Sequence, residues 1–265
     1  AVALAAELHA DVCEIYTDVD GVYTADPRIV PNARKMEEVT YDEMLEMASL
    51  GAKVLHSRCV EIAKKYGVEL LVCSSLNRNS GTMVRERNAI CSSLNHNSGT
   101  IVREKTKMEK MLISGVAADK NVAKIRVAGL GNDPESTFRL LNLLDRNNLN
   151  IDVMIQSLGK DGTKSVSFTV AKPDMLRTID VLNDNKDSLG IKKLDYDENV
   201  AKISVIGAGV RSHSGVAAKM FGALANAGIN TEMITTSEIR ITALIDEAYA
   251  DQAMRAIHET FLEHV

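Results

Sequence analysis

Ala123-Lys-Ile-Arg-Val127 is matched 78 positions further on by Ala201-Lys-Ile-Ser-Val205, and Asn150-Ile-Asp-Val-Met154 has a counterpart in Asn230-Thr-Glu-Met-Ile234. Around each pair the signals run strand, Gly-containing turn, amphipathic helix, strand, strand, helix. Phe138, Leu141 and Leu144 share one helical face in the first copy; Val216, Met220, Phe221 and Leu224 do so in the second. Alternating runs place strands over Ile151 to Leu158 and Ser165 to Val170, then over Thr231 to Thr236 and Ile239 to Ile245. That order is the βαββαβ plan of ferredoxin-like α+β domains, one over 111–193 and one over 194–265. The second copy stops at Val265 directly after its second helix and lacks a last strand. Leu112-Ile-Ser-Gly-Val116 has no local pairing partner, so residues 111–118 are expected to supply the missing strand and tie the two units together.

Upstream, residues 1–72 alternate helix and strand signals in an α/β pattern. An Ala-rich helix precedes Val12-Cys-Glu-Ile-Tyr16. A long amphipathic stretch through Tyr41, Met44, Leu45, Ala48, Val54, Leu55, Val60 and Ile62 breaks at Gly51, and a short strand covers Val68 to Val72. Between the halves, Cys73-Ser-Ser-Leu-Asn-Arg-Asn-Ser-Gly-Thr-Met-Val-Arg-Glu86 recurs 18 residues later as Cys91-Ser-Ser-Leu-Asn-His-Asn-Ser-Gly-Thr-Ile-Val-Arg-Glu104. Two copies of so short a unit do not make a solenoid. Their Ser/Asn/Gly composition, with the charged run Arg103 to Lys110, predicts an exposed linker over 73–110. Ala1 to Leu8 reads as helix interior without a cap, which suggests an α/β domain truncated at its N-terminus.

The chain has 265 residues, 45% hydrophobic and 25% charged, which gives room for several small cores. A net charge of -5 leaves no basic footprint for nucleic acid. No apolar run approaches the roughly 20 residues of a membrane span, and no signal peptide is evident. The four cysteines lack CxxC spacing and the six histidines form no ligand set, so no metal centre is expected. Eleven Met without Trp point to adaptable cores rather than a cofactor box. Taken together, these features fit a cytoplasmic protein.

In Thr17-Asp18-Val19-Asp20-Gly21 a strand end delivers hydroxyl and carboxylate groups at a Gly turn, suited to ribose hydroxyls or a Mg²⁺ shell. Tyr23 is placed to meet adenine or ribose, and Arg28 to pair with phosphates. Composition alone favours a plain solvated acidic turn. The stretch Tyr16-Thr-Asp-Val-Asp-Gly-Val-Tyr-Thr-Ala-Asp-Pro-Arg28, however, is similar to the nucleotide-binding segment of aspartate kinases, and Gly51-Ala-Lys-Val-Leu-His56 resembles that family's next stretch. Ile113 to Lys120, Asn150-Ile-Asp152 with Gln156, and Thr236-Ser-Glu-Ile-Arg240 resemble the family's paired ACT domains.

The resemblance implies a partial amino-acid-kinase α/β domain followed by two ACT domains. It places Thr17, Asp18, Tyr23, Asp26, Arg28 and Lys53 around ATP with Mg²⁺, ATP being a substrate and no cofactor being tightly held. It also implies an amino-acid effector site. Asn132, Glu135, Thr137, Asp152 and Gln156 would come from the first ACT module, and Ala217, Phe221, Asn230, Thr231 and Ser237 from the second. The family usually has Asp at position 132 and Gly at 135; here a carboxylate is lost and a side chain is gained. The effectors implied are L-lysine, L-threonine or both, and the assembly implied is a homodimer joined through ACT edges. The family's Lys-Phe-Gly-Gly-Thr-Ser-like and Gly-Ser-Asp segments are not in this sequence, so its catalytic residues stay unassigned and the chain by itself is expected to be inactive. The activity implied for the family is phosphorylation of L-aspartate, at the entry to lysine, threonine and methionine synthesis. Two alternatives stay open: a non-catalytic regulatory subunit acting with a full-length kinase, and an incomplete product without function of its own.

Two further motifs carry little weight. Gly207-Ala-Gly209-Val-Arg-Ser-His-Ser-Gly215 has its third Gly too late for a dinucleotide fingerprint and reads as a tight strand-to-helix turn. His56 lacks a partner motif and reads as a packed or surface residue.

Overall fold

A computed structural model describes residues 1–50, 54–76, 80–86, 113–213 and 215–262. The first third builds α1 (Val2–Glu7), β1 (Val12–Thr17), β2 (Glu38–Thr40), α2 (Tyr41–Ser49), α3 (Ser57–Tyr66), β3 (Glu69–Ser74) and β4 (Thr82–Arg85). The break expected near Gly51 separates α2 from α3, each with its own start signal. Thr40 and Glu43 form a reciprocal capping box on α2. His56 Nδ1 accepts the Arg58 N–H at the start of α3, so this histidine is a helix cap. β1 runs parallel to β3, β4 antiparallel to β3, and β2 parallel to β4, giving the order β1-β3-β4-β2 over a core of Met44, Leu50, Val60, Leu70, Val72 and Val84.

The linker expected from residue 73 needs correcting. Cys73 and Ser74 finish β3, and Thr82 to Arg85 of the same unit form β4, with Thr82 fully buried. The Ser/Asn/Gly composition gave no sign of the strand at Thr82 to Arg85. The second unit, 91–104, lies outside the described residues.

The remaining chain folds as β5 (Gly115–Leu130), α4 (Glu135–Arg146), β6 (Met154–Leu158), β7 (Lys164–Ala171), α5 (Met175–Asp184), α6 (Lys186–Leu189), β8 (Lys193–Ile206), α7 (Gly209–Ser212), α8 (Val216–Asn226), β9 (Met233–Thr236), β10 (Arg240–Asp246) and α9 (Ala250–Leu262). One sheet, in the order β6-β7-β5-β8-β10-β9, holds all six strands. β5 and β8 are long and shared. Residues 122–128 of β5 pair with 193–200 of β8 and with β7, whereas 115–119 pair with 202–206, and the ladder is irregular at 119–124. Each module thus has four strands in ferredoxin-like order, and Gly115 to Asp119 takes the fourth place in the second.

The helix face expected on α4 also shifts. Leu140 and Leu144 are fully buried, while Phe138 is 65% exposed. Counting apolar residues at helical spacing placed the stripe about one residue's rotation off, with Leu144 common to both faces and Leu140, not Leu141, turned inward.

The α/β part is seated on the second module. Val116 N–H donates to the Thr24 carbonyl (2.8 Å), Ser114 Oγ donates to Glu43 Oε1 (2.5 Å), and Arg240 pairs with Glu46 (2.8 Å). Ala25 and Val30 join the second module's core, and Ala117 and Ile206 join that of the α/β part. No helix of the described residues is long and apolar enough to cross a membrane.

Candidate nucleotide and effector sites

β1 and β3 are parallel, and their carboxyl ends meet at one edge, the place where open α/β sheets receive ligands. Thr17 closes β1. Its hydroxyl donates to Asp18 Oδ1 (2.9 Å), and its carbonyl accepts both the N–H and the Oγ–H of Ser75 (2.8 and 2.9 Å). The chain then turns at Gly21, whose φ of +150° and 2.4 Å separation between an ideal Cβ and Thr82 Oγ1 leave room for glycine alone. Thr82 clips the loop to β4: its hydroxyl accepts the Val22 N–H (2.8 Å) and donates to the Met36 carbonyl (2.6 Å).

Tyr23 donates to Asp20 Oδ1 (2.8 Å), and this bond raises the phenol's pKa. Asp20 also faces the Lys35 ammonium at 3.8 Å. Asp26 holds Arg28 through the backbone N–H, Nε and a terminal guanidinium nitrogen at 2.7 Å, which pulls the Asp26 carboxyl below the ordinary range and raises the guanidinium further. Thr17, Asp18 and Tyr23 with its partner Asp20 therefore lie along one strand-end loop. Asp26 and Arg28 form a separate clasp, with the Arg28 side chain 87% exposed and able to reach an anion. Lys53 lies outside the described residues. Among the described residues no three His, Cys, Asp or Glu side chains converge into a metal cage. Mg²⁺ that keeps water and phosphate oxygens takes only one or two carboxylates, and Asp18 and Asp20 match that donor chemistry.

The effector candidates divide between the two edge strands of the sheet. In the first module Thr137 donates to Gln156 Oε1 (2.7 Å), joining the start of α4 to β6, and Asn132 and Glu135 are exposed beside it. The neighbouring Asp133 went unnoticed in the sequence, yet its carboxylate accepts the Glu135 N–H (3.0 Å) and faces Arg139. In the second module Ala217, Asn230 and Ser237 are exposed, Thr231 is half-buried, and Phe221 packs against the core. Asp152 is already engaged. Its carboxylate lies 2.5 Å from Lys202 Nζ, which also reaches Asp119 at 3.1 Å and is itself buried. An effector ammonium arriving at Asp152 meets Lys202 as a competitor. A narrow crevice beside Lys202, lined by Val153, Thr169, Met233, Thr235, Thr242 and Leu244, includes none of the ten candidates.

Residues 1–74 match the Amino acid kinase family and residues 203–261 the ACT domain. Aspartokinases of Pseudomonas aeruginosa and Mycolicibacterium smegmatis are 43% and 45% identical over 98% of this chain. The regulatory subunit of aspartate kinase from Thermus thermophilus is 33% identical and superposes with a TM-score of 0.54, over 57% of this chain and 99% of that one. The chain belongs to the aspartate kinase family. It spans about 60% of the length of the two aspartokinases just named. E. coli aspartokinase III, solved with aspartate and ADP and again with lysine and aspartate, gives TM-scores of 0.81 and 0.74. Each covers 99% of this chain, at 26% identity, and 55% and 54% of the E. coli chain.

Within this family frame, four residues that sequence reading passed over join the site's surroundings: Lys35, Thr82, Asp133 and Lys202. Only Lys202 had a legible signal, since it falls inside the repeated Ala-Lys-Ile segment that defines the modules.

Proposed function

We propose that this chain carries the nucleotide side and the amino-acid-sensing half of an aspartate kinase, the enzyme that transfers the ATP γ-phosphate to the β-carboxylate of L-aspartate. The observation that carries the reading is the strand-end loop. Thr17 and Asp18 sit at the carboxyl end of a parallel strand, Gly21 is fixed in a conformation open to glycine, and the loop is clipped by Thr82. Thr17 and Asp18 would hold the ribose or the Mg²⁺ shell, Tyr23 the nucleoside, and Arg28 the phosphates. Phosphoryl transfer is mainly positioning and charge neutralisation, so these nucleotide-side groups would act together with groups that hold aspartate and the γ-phosphate.

The ACT pair is the sensor, with L-lysine, L-threonine or both as effectors, and a homodimer joins exposed edge strands such as β6. All five residues of β6 are exposed, leaving unpaired backbone groups for a second copy. The E. coli relative's structures, one with ADP and aspartate and one with lysine, favour lysine among the effectors. A second reading, a regulatory subunit acting on a full-length kinase, is favoured by the match to nearly all of the Thermus regulatory subunit. Calorimetric titration with L-lysine, L-threonine and the two together tests the sensing role. Saturable binding is expected, and a folded dimer that binds neither amino acid would remove it.

A further inference from the structure

Thr24 lies inside the nucleotide-side loop, between Tyr23 and Asp26, and its polar atoms tie that loop to distant parts of the chain. Its N–H donates to the Arg34 carbonyl (2.9 Å), and its Oγ1 accepts the Arg34 N–H (3.0 Å). Its carbonyl accepts the Val116 N–H from β5 (2.8 Å), and its Oγ1 lies 3.0 Å from His258 Nε2. Thr24 is 2% exposed and His258 is fully buried. Two of these four contacts come from the second ACT module, more than ninety residues away in sequence. Thr82 grips the loop from the kinase sheet, and His258 with Val116 grips it from the sensor.

His258 is held firmly enough to serve as a fixed point. It projects from α9, whose Ala250, Ala253, Met254, Ile257 and Leu262 are all buried in the second module's core. Apolar packing would be served as well by leucine at 258; what histidine adds there is a ring nitrogen at hydrogen-bonding distance from a hydroxyl of the loop. We propose that His258 is a positioning residue for nucleotide binding: through Thr24 it sets the conformation in which Tyr23, Asp26 and Arg28 meet the nucleotide. The proposal rests on the nucleotide-side reading given above. One net hydrogen bond is worth about a five-fold change in affinity when the bound conformation depends on it.

The test titrates Mg·ADP into the full chain by calorimetry, with thermal melting as the fold control. His258→Leu should melt close to wild type yet bind Mg·ADP about five-fold more weakly, and His258→Gln, which returns a polar group near the Nε2 position, should recover most of the loss. Thr24→Val should weaken binding in the same direction and Thr24→Ser restore it. The Thr24→Val/His258→Leu pair should be no weaker than Thr24→Val alone, because Thr24→Val already removes the His258 contact together with the acceptor for the Arg34 N–H. Wild-type affinity in His258→Leu, no recovery in His258→Gln, or additive losses in the double variant would overturn the proposal. No Mg·ADP binding by wild type would instead remove the nucleotide-side reading, and this inference with it.

Discussion

The two ACT modules share a plan and differ in what covers the sheet face away from their helices. In the first module the face includes Arg126, which is exposed, and Lys124, half-buried against Glu232. In the second, the residues 78 positions on are Ser204, fully buried and bonded to Thr242 (2.7 Å), and Lys202, buried between Asp119 and Asp152. The first half of β8 is largely exposed or half-buried, whereas every residue from Val200 to Ile206 is buried. The cover is non-local: the kinase core meets the face at Ala117 and Ile206, and Val153 closes it near Val200, Met233 and Leu244. A single repeat has thus produced one module that is a docking platform and one that keeps a face open to solvent.

Exchanging residues across the repeat gives the largest expected effect. Ser204→Arg places a charge on a sealed face and should cost about 4 kcal/mol, whereas Arg126→Ser should change stability by less than about 0.5 kcal/mol. Denaturant unfolding of both variants checks this, and equal costs would erase the distinction between the modules. The lysine pair sharpens it at a lower level. Lys202→Ala leaves two carboxylates without their cation and should cost about 2 kcal/mol, reduced from the fully buried case because Asp152 is about half exposed. Lys124→Ala removes a more open pair and should cost under about 1 kcal/mol by the same measurement.

The smallest effect lies off both modules, at Asp26. Arg28 holds its folded-state pKa below the unfolded value of about 3.9. The clasp therefore adds stability above that value and loses it as pH falls through the lower folded pKa. Between about pH 6 and about pH 3, Asp26→Asn should lose less stability than wild type. An identical loss would mean the clasp contributes nothing to folding.

Much of this architecture was legible because its determinants are local. The repeated Ala-Lys-Ile segments located β5 and β8, the alternating runs located the edge strands, and Tyr16 to Arg28 marked the loop at the end of β1 that is proposed to meet the nucleotide. What escaped was decided by contacts between distant residues. Thr82 looked like part of a polar linker because its partners are Val22 and Met36. Phe138 looked inward-facing because hydrophobicity carries no direction when Leu140, two residues on, claims the core. His258 gave no signal, since its partner Thr24 lies 234 positions away.

β5 spans sixteen residues and serves two modules of one sheet: its second half opens the first module, and its first half completes the other. The order of the strands along the chain is therefore not their order in the sheet. Any recombination or excision that cuts between the repeats strips a strand from the module encoded further downstream and exposes its edge. The second ACT module moved on its own arrives incomplete unless Gly115 to Asp119 travels with it.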